Sequence, residues 1–569
     1  MDAQVDCCRV PRHGAHAQRS AQPSGNDPRG DSVPHAREWA EQDGHQQLRP
    51  GRHQLGSGDR GSAAAGDRPN PGEPVRILAV DVGTTSAKAA VVDGGAIIEV
   101  AEAPLGLTHP HPGWAEQSPA DWWAAVVSAT RALRSVGDVV AVVATGQMQD
   151  LVPVRGAPGD GDGAVRPAIL YSDQRAVAEH SALAALLGTA WGDAALAQPD
   201  STNVAAKWKW LVDHEPANAA ATDVVLLGAA AYVVWRATGA ATCDPTVAAT
   251  TGLADVVANS WWGPVVAATG IPLPSIVGAT EVAGYVSPAV AAELGVRAGL
   301  PVVHACGDAV ATSIGVLGDE IDSPYAYLGT SGWVGVFRPR AEPRPGVIVL
   351  PGPSADRWLS VMPIATAGGA ADWARETLLG DVDISTFDRL AAGAFAAGEG
   401  VGFLSQLDGT RFPLPDPFAC GVLIGARRST GRAVVAAAVY EGVAQVLAAI
   451  ADVVVPQPAG TDRAGLAVCG GGARSDVWCQ VIADVTGRTV RRVSDDHASL
   501  RGAASCALVA LGGAPVGAAT TLAVFGPRAD RRRAHVAMGG VLTGLAGSLA
   551  PQFAELARIR AVQSENVHP

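Results

Sequence analysis

The chain is poor in aromatic side chains: Phe, Trp and Tyr make up 5% of its 569 residues, and methionine occurs 4 times. A hydrophobic fraction of 48% must therefore build its cores mainly from Ala, Val and Leu. Positive charge is also scarce, with 42 Lys and Arg against 55 Asp and Glu, a formal net charge of −13. Such a balance argues against nucleic acid or an anionic membrane as the main partner. An anionic substrate then needs local cations or metal ions. The 8 cysteines include no pair at zinc-binding spacing and form no dense disulfide framework. Free thiols in a reducing, cytoplasmic compartment are expected. Apolar runs are short; one of the longest, Val224 to Trp235, falls below the length of a membrane span. No basic stretch leads into an apolar signal core at the N-terminus. GxxxxGK[ST] does not occur, and the one GxGxxG, Gly56 to Gly61, has no apolar strand-like run leading into it, so neither a P-loop nor a Rossmann dinucleotide site has support.

Residues 1–74 are rich in His, Gln, Arg, Gly, Asp and Pro and have almost no apolar periodicity. A segment of this kind cannot bury enough surface to offset its ordering entropy, so disorder is predicted. Folded-type sequence begins abruptly at Val75, which suggests an over-extended start. From there short Val/Ile/Leu runs alternate with Ala-rich helical stretches, the α/β pattern. Arg76–Val80, Ala87–Val92 and Ile97–Ala103 read as a strand meander. Pro119–Ser135 reads as a helix capped by Ser118. Val139–Thr145 and Val302–Cys306 are predicted strands, and Ala220–Thr238, Pro288–Leu294 and Ala309–Val316 predicted helices. Farther on, Thr386–Ala397, Ala433–Val454, Asp476–Thr486 and Ser499–Leu511 are predicted helices, and Leu466–Cys469 a strand.

One pattern occurs twice. A strand runs into Asp81-Val82-Gly83-Thr84-Thr85-Ser86, and another into Gly329-Thr330-Ser331-Gly332; each is followed by a second strand. Glycine permits close backbone approach and positive φ, backbone N–H groups in such turns point at anions, and hydroxyls add donors. A single Gly-Thr turn is usually only a hairpin. Two copies suggest two halves closing on one polyphosphate, with a boundary near Gly318 to Ser323. Ser331 sits in Gly-Thr-Ser-Gly rather than GxSxG, so it does not read as a hydrolase nucleophile.

Asp81-Val-Gly-Thr-Thr-Ser, Gly146-Gln147-Met148, Gly307-Asp308, Leu328-Gly-Thr-Ser-Gly332, Glu441-Gly442-Val443 and Gly470-Gly-Gly-Ala-Arg-Ser475 occur in the order seen in the FGGY carbohydrate kinases. His111 to Gln117 with Asp121-Trp-Trp123, Pro167 to Tyr171, and Trp478 with Ala483-Asp484 resemble the xylulokinase branch. The likeness spans roughly Val75 to Gly512. It implies a two-lobed actin-like (ribonuclease H-like) α/β fold of two related domains around a cleft, residues 75–320 on the sugar and phosphate side and 321–530 on the adenosine side. A helical or irregular extension, 531–569, follows. It also implies sugar phosphorylation by ATP with Mg²⁺, a small sugar and ATP as partners, and a homodimer among the allowed assemblies.

On this resemblance Asp308 matches the catalytic base, though an Asp before Ala309 also suits a helix N-cap. Asp81 matches the residue that orients Mg²⁺; alternatively it caps a turn. Gly83, Thr84 and Thr85 would hold the β- and γ-phosphates. Lys88 could add a charge or be a solvated strand residue. Gly329 and Thr330 would form the opposing clamp. Gly470, Gly471 and Gly472, with Ala473 and Ser475, resemble the adenosine loop, and Asp476 to Trp478 could line it. Gln147, Met148 and Gln149 would face the sugar, with core packing as the other reading of Met148. Asp173 either binds sugar hydroxyls or pairs with Arg175.

The chain departs from xylulokinases at telling places. The usual Gly-Gln-Met-His-Gly is Gly146-Gln147-Met148-Gln149-Asp150; the Trp-Asn-Asp stretch is Tyr171-Ser172-Asp173; Gly-Glu-Arg-x-Pro is Gly409-Thr410-Arg411-Phe412-Pro413; and Leu-Gly-Ala-Ala is Leu500-Arg501-Gly502-Ala503-Ala504. A ketose or polyol kinase most like xylulokinase is the leading expectation. Glycerol kinases carry Arg-Glu where this chain has Met148-Gln149, and gluconate would favour a cation here, for which Arg175 is the only nearby candidate. The alternatives are a non-kinase actin-like ATPase and a degenerate sugar-binding regulator.

Overall fold

A computed structural model describes residues 75–158, 163–395, 400–410, 416–456, 463–494 and 497–567. The tail over 1–74 and the Arg411-Phe412-Pro413 stretch lie outside the described residues. The first lobe contains β1 (Arg76–Val82), β2 (Ser86–Asp93), β3 (Ala96–Pro104), β4 (Ala141–Gly146), β5 (Val282–Tyr285) and β6 (Pro301–His304). They form one sheet in the order β5-β6-β4-β1-β2-β3. β1, β2 and β3 are an antiparallel meander, and β4 and β6 run parallel to β1.

The second lobe repeats this plan with β7 (Tyr325–Leu328), β8 (Gly332–Arg338), β9 (Ile348–Pro351), β10 (Trp358–Ile364), β11 (Leu466–Cys469), β12 (Val490–Val493) and β13 (Thr521–Phe525). Its order is β9-β10-β8-β7-β11-β12-β13, again with antiparallel strands on one side of β7 and parallel β11 and β12 on the other. In both lobes the last strand is antiparallel to its neighbour. The duplication read from the two Gly-Thr turns is thus a duplication of whole sheets.

The helices used below are α1 (Pro119–Arg131), α2 (Val204–His214), α3 (Pro245–Thr250), α4 (Asp308–Leu317), α5 (Ile384–Phe395), α6 (Arg432–Val454), α7 (Asp476–Thr486), α8 (Ala498–Ala510) and α9 (Ala529–Val567). Ser118 caps α1, accepting from the Asp121 N–H, as its sequence position implied. The predicted helix over Ala220–Thr238 is instead a short helix at Pro216–Ala220, a strand at Val224–Leu227 and a helix at Ala229–Thr238. Paired β-branched residues favour the strand, and Gly228 at φ 98° makes the corner.

α4 and α8 lie together in a buried layer that draws on both sheets, including Ile77, Val143, Ile314, Tyr325, Ala467 and Leu500. They touch at two glycines. A Cβ at Gly502 would stand 1.8 Å from the Ala311 carbonyl oxygen, and one at Gly315 would stand 1.9 Å from that of Ala498. Arg501 locks the layer by donating to the carbonyls of Gly95, Gly315 and Gly517. A helix late in the sequence therefore packs on the first lobe and carries Ser499 to Asp81.

Among the described residues two helices have the length and composition to cross a membrane. The most apolar 18-residue window of α6 is 56% buried, that of α9, within Ala529–Arg560, only 11%. Residues 534–554 hold no Asp, Glu, Lys or Arg, a stretch that a scan for Val/Leu runs misses because Gly and Ala fill it.

Candidate active site

β4 lies between β1 and β6, so the ends of three parallel strands meet at one edge. That edge gathers Asp81 from β1, Gln147 and Met148 after β4, and Gly307 and Asp308 after β6. Close packing fixes the arrangement. A Cβ at Gly146 would stand 2.6 Å from the Val82 carbonyl oxygen, and one at Gly307 would stand 2.2 Å from the Met148 sulfur. Met148 thus packs against the peptide that precedes Asp308.

Gly307 holds the N-cap position of α4, and Asp308 is the first residue of the helix proper. The capping alternative for Asp308 therefore falls to Gly307. Burial pushes the Asp308 carboxyl up to about 7; the Asp81 charge adds to the rise, and the Ala309 N–H opposes it. Burial also raises Asp81, against the pull of Ser499, Lys88 and His497. Ser499 Oγ donates to Asp81 Oδ2 at 2.5 Å. Lys88 stands directly opposite Asp81 across the β1–β2 pair, on the same face.

Gly83 closes its turn through an N–H bond to the Ser86 carbonyl at 3.1 Å, and Thr85 is exposed. Thr84 bonds toward the end of β4: its hydroxyl donates to Gln147 Oε1 at 3.0 Å and lies 3.4 Å from the Tyr171 hydroxyl. Gln147 donates in turn to Gln117 Oε1 at 2.9 Å, and Gln117 Nε2 donates to the carbonyls of Thr84 and Gly106. Trp122 Nε1 also donates to Gln117 Oε1, so every polar atom of this buried amide is engaged. Gln117 joins the Gly83–Thr84 turn to the end of β4. It is visible in the His111–Gln117 motif, but nothing local marks it as a hub.

Gln149 has φ 67°, and its amide donates to the Thr202 carbonyl at 2.8 Å and hydroxyl at 3.0 Å. It borders a cavity of about 350 Å³ shared with Tyr171, Asp200 and Asn203 and closed by Ile348–Leu350 of the second lobe. Its neighbour Asp150 is fully buried and accepts from the Tyr171 N–H at 2.9 Å. Burial holds that carboxyl well above the usual range; Lys207 on α2 opposes the rise and Asp308 adds to it. Lys207 is itself buried, donates to the carbonyls of Leu170 and Gln149, and is lowered to about 8 by desolvation. A cation does stand near this strand end, but it is walled in and balanced by Asp150.

Of the two readings of Asp173, the structure shows the pairing with Arg175. Both of its oxygens are taken, by Arg175 at 2.9 and 2.7 Å and by the Ala115 N–H at 2.6 Å. Arg175 lies 3.8 Å from the Trp114 ring centroid and also pairs with Glu116. This sealed, fully buried pair offers nothing to a sugar, and Arg175 is no free cation for an aldonate.

Asp244 escapes a reading of the sequence because a single Asp before a Pro looks like a cap. It does cap α3 through the N–H groups of Thr246 and Val247, but it also accepts from the Gly307 N–H at 3.3 Å. Its second oxygen lies 3.7 Å from His304 Nε2. Burial raises Asp244 to about 7 and lowers His304 to about 4, so the imidazole is neutral at neutral pH.

The second lobe contributes a cavity of about 870 Å³ bordered by Gly329, Thr330, Gly471, Gly472 and Ser475. Its floor is a stacked pair, Tyr440 on Trp478, with ring centroids 4.5 Å apart. Gly470 takes φ 92°, and a Cβ at Gly472 would stand 2.7 Å from the Trp478 ring. Ser475 caps α7 and, like the Tyr440 hydroxyl, donates to Asp388 on α5 at 2.6 Å. The Gly329-Thr330 turn is held by N–H bonds from Gly368 and Gly369 to its two carbonyls. Ala473 is a correction: its side chain is packed in the lobe's core rather than in this cavity. Asp476 is exposed and paired with Arg492, whereas Trp478 does line the cavity.

The family follows from comparison of the two domains with known proteins. The chain belongs to the FGGY family of carbohydrate kinases, whose N-terminal domain matches residues 76–315 and whose C-terminal domain matches residues 325–511. It is 33% identical to the xylulose kinase of Streptomyces rubiginosus over 82% of this chain and 92% of that protein. A glycerol kinase of Bordetella parapertussis is 28% identical over 77% and 89%. The crystal structure of a xyloylose kinase from Brucella ovis superposes with a TM-score of 0.76 at 26% identity, covering 84% of this chain and all of the other. The FGGY chain is thus a carbohydrate kinase with the two-lobed actin-like fold.

Proposed function

We propose that the protein transfers the γ-phosphoryl group of ATP to a terminal hydroxyl of a ketose, D-xylulose to xylulose 5-phosphate or a closely related ketose or polyol. The observation that carries this reading is the convergence of Asp308, Asp81 and the Gln147–Met148 strand end at one sheet edge. Phosphoryl transfer needs an aligned hydroxyl, screened charge and a proton acceptor. Asp308, poised near neutrality, would take the proton from the attacking hydroxyl. The Gly307 peptide, gripped by Asp244 and packed by Met148, would keep it in place. Gly83, Thr85, Lys88, Gly329 and Thr330 would hold the phosphates, and the Gly471–Gly472 backbone with Tyr440 and Trp478 the nucleoside.

No cluster of three or more metal-ligating side chains occurs among the described residues. That suits Mg²⁺, which keeps its waters and takes one or two carboxylates alongside substrate phosphates. Asp81 would be its main protein contact, and the ion would supply charge neutralisation on the phosphates. The lining around Gln149, polar with Asp200 as its charged side chain, and the enclosure of Lys207 and Arg175 favour an uncharged polyhydroxyl substrate over an aldonate. An ADP-release assay with pentuloses, hexuloses, aldonates and polyols tests the reading. Fastest turnover on an aldonate, or none on any ketose or polyol, would refute it.

A further inference from the structure

Away from the catalytic edge, a second cavity of about 460 Å³ lies between α6 and α9. Its walls are mostly apolar, including Phe403, Val446, Ala449, Val536 and Leu542. Its size is within the range of small-molecule sites. Its charged rim is unbalanced. It holds Asp452, Arg463 and Arg532; Asp452 is shared by Arg463 and by Arg488, which is buried behind the rim, while Arg532 on α9 makes no ion pair among the described residues. The Arg532 guanidinium lies over Gly487, at the C-terminus of α7, where a Cβ would meet its Nη1. The helix end there is favourable to a cation, but the rim still holds two guanidinium groups to one carboxylate, which a buried third arginine also claims.

We propose that this cavity binds an amphipathic carboxylate, its alkyl chain between α6 and α9 and its head group on Arg532 and Arg463. Arginine forks match a carboxylate with paired, charge-assisted hydrogen bonds, and the apolar walls select the chain. The position couples to the nucleotide side, because α6 carries Tyr440 and α7 carries Trp478, the stacked floor of the cavity above. The inference does not depend on which sugar is phosphorylated.

Calorimetric titration of the full-length enzyme with straight-chain carboxylates of increasing length, below their micelle concentrations, tests it. Affinity should rise about fourfold per added methylene until the cavity is full. The alcohol and amine of matching length should bind far more weakly. Arg532→Gln should weaken binding about tenfold or more, and Ala449→Phe should abolish it, both with unchanged thermal midpoint and sugar-dependent turnover in the absence of carboxylate. The proposal is overturned if no carboxylate binds, if the alcohol binds equally well, if Arg532→Gln leaves affinity unchanged, or if ADP competes directly for the site.

Discussion

Replacing Asp308 by Asn should remove turnover and stabilise the protein at the same time. The folded state holds this carboxyl at about 7 instead of 3.8. Each tenfold change in an acid's ionisation constant is worth about 1.4 kcal/mol, so the ceiling is about 4 kcal/mol. Asp308 retains some solvent contact, which lowers the expected gain to about 1–3 kcal/mol. The sign follows from linkage: an acid with a raised folded pKa costs stability as pH climbs from its unfolded value through its folded one. The gain in Asp308→Asn should thus be full above pH 7 and vanish toward pH 4. The assay is thermal unfolding of wild type and variant, free of nucleotide and metal, at pH 5 and pH 8, beside turnover at pH 8. Turnover should fall by about 10²–10⁴-fold. A variant less stable than wild type at pH 8, or one that keeps its turnover, would refute the assignment of a strained, reactive carboxylate here.

Wild-type kcat/KM should rise with pH through about 7, because the base must be unprotonated; an acid limb that persists in Asp308→Asn would assign it elsewhere. Asp244→Ala should lower kcat about tenfold or more with a smaller change in sugar KM, since it frees the Gly307 peptide rather than a sugar contact; a change confined to KM would contradict this. Gly502→Ala should lower the thermal midpoint through a loss of about 1–3 kcal/mol, because its Cβ has no room beside the Ala311 carbonyl; an unchanged midpoint would show that the α4–α8 contact is looser than described. Tyr440→Ala should raise the KM for ATP and spare that for sugar, and an effect on sugar alone would move the nucleoside elsewhere.

Strand–turn–strand units and long Ala-rich helices are legible because local chemistry decides them: Ser118 caps α1, and Gly487 ends α7. The duplicated sheets can be inferred from the two Gly-Thr turns. What escapes are relations between distant segments. Asp173 looks alike whether it faces a sugar or Arg175, and only the Trp114 and Glu116 contacts that seal the pair decide it. The strand at Val224–Leu227 hides in an apolar run that suits a helix equally well. Asp150 and Lys207 are far apart in sequence, so their shared burial leaves no local signal. Ser499 reaches Asp81 from the other end of the chain, through helices that meet at two glycines.

Phosphorus NMR of the enzyme with ATP, Mg²⁺ and D-xylulose tests the central claim most directly. A sugar phosphate should appear in step with ADP, with neither formed when Asp308 is Asn. Inorganic phosphate released at the same rate with or without sugar would contradict it.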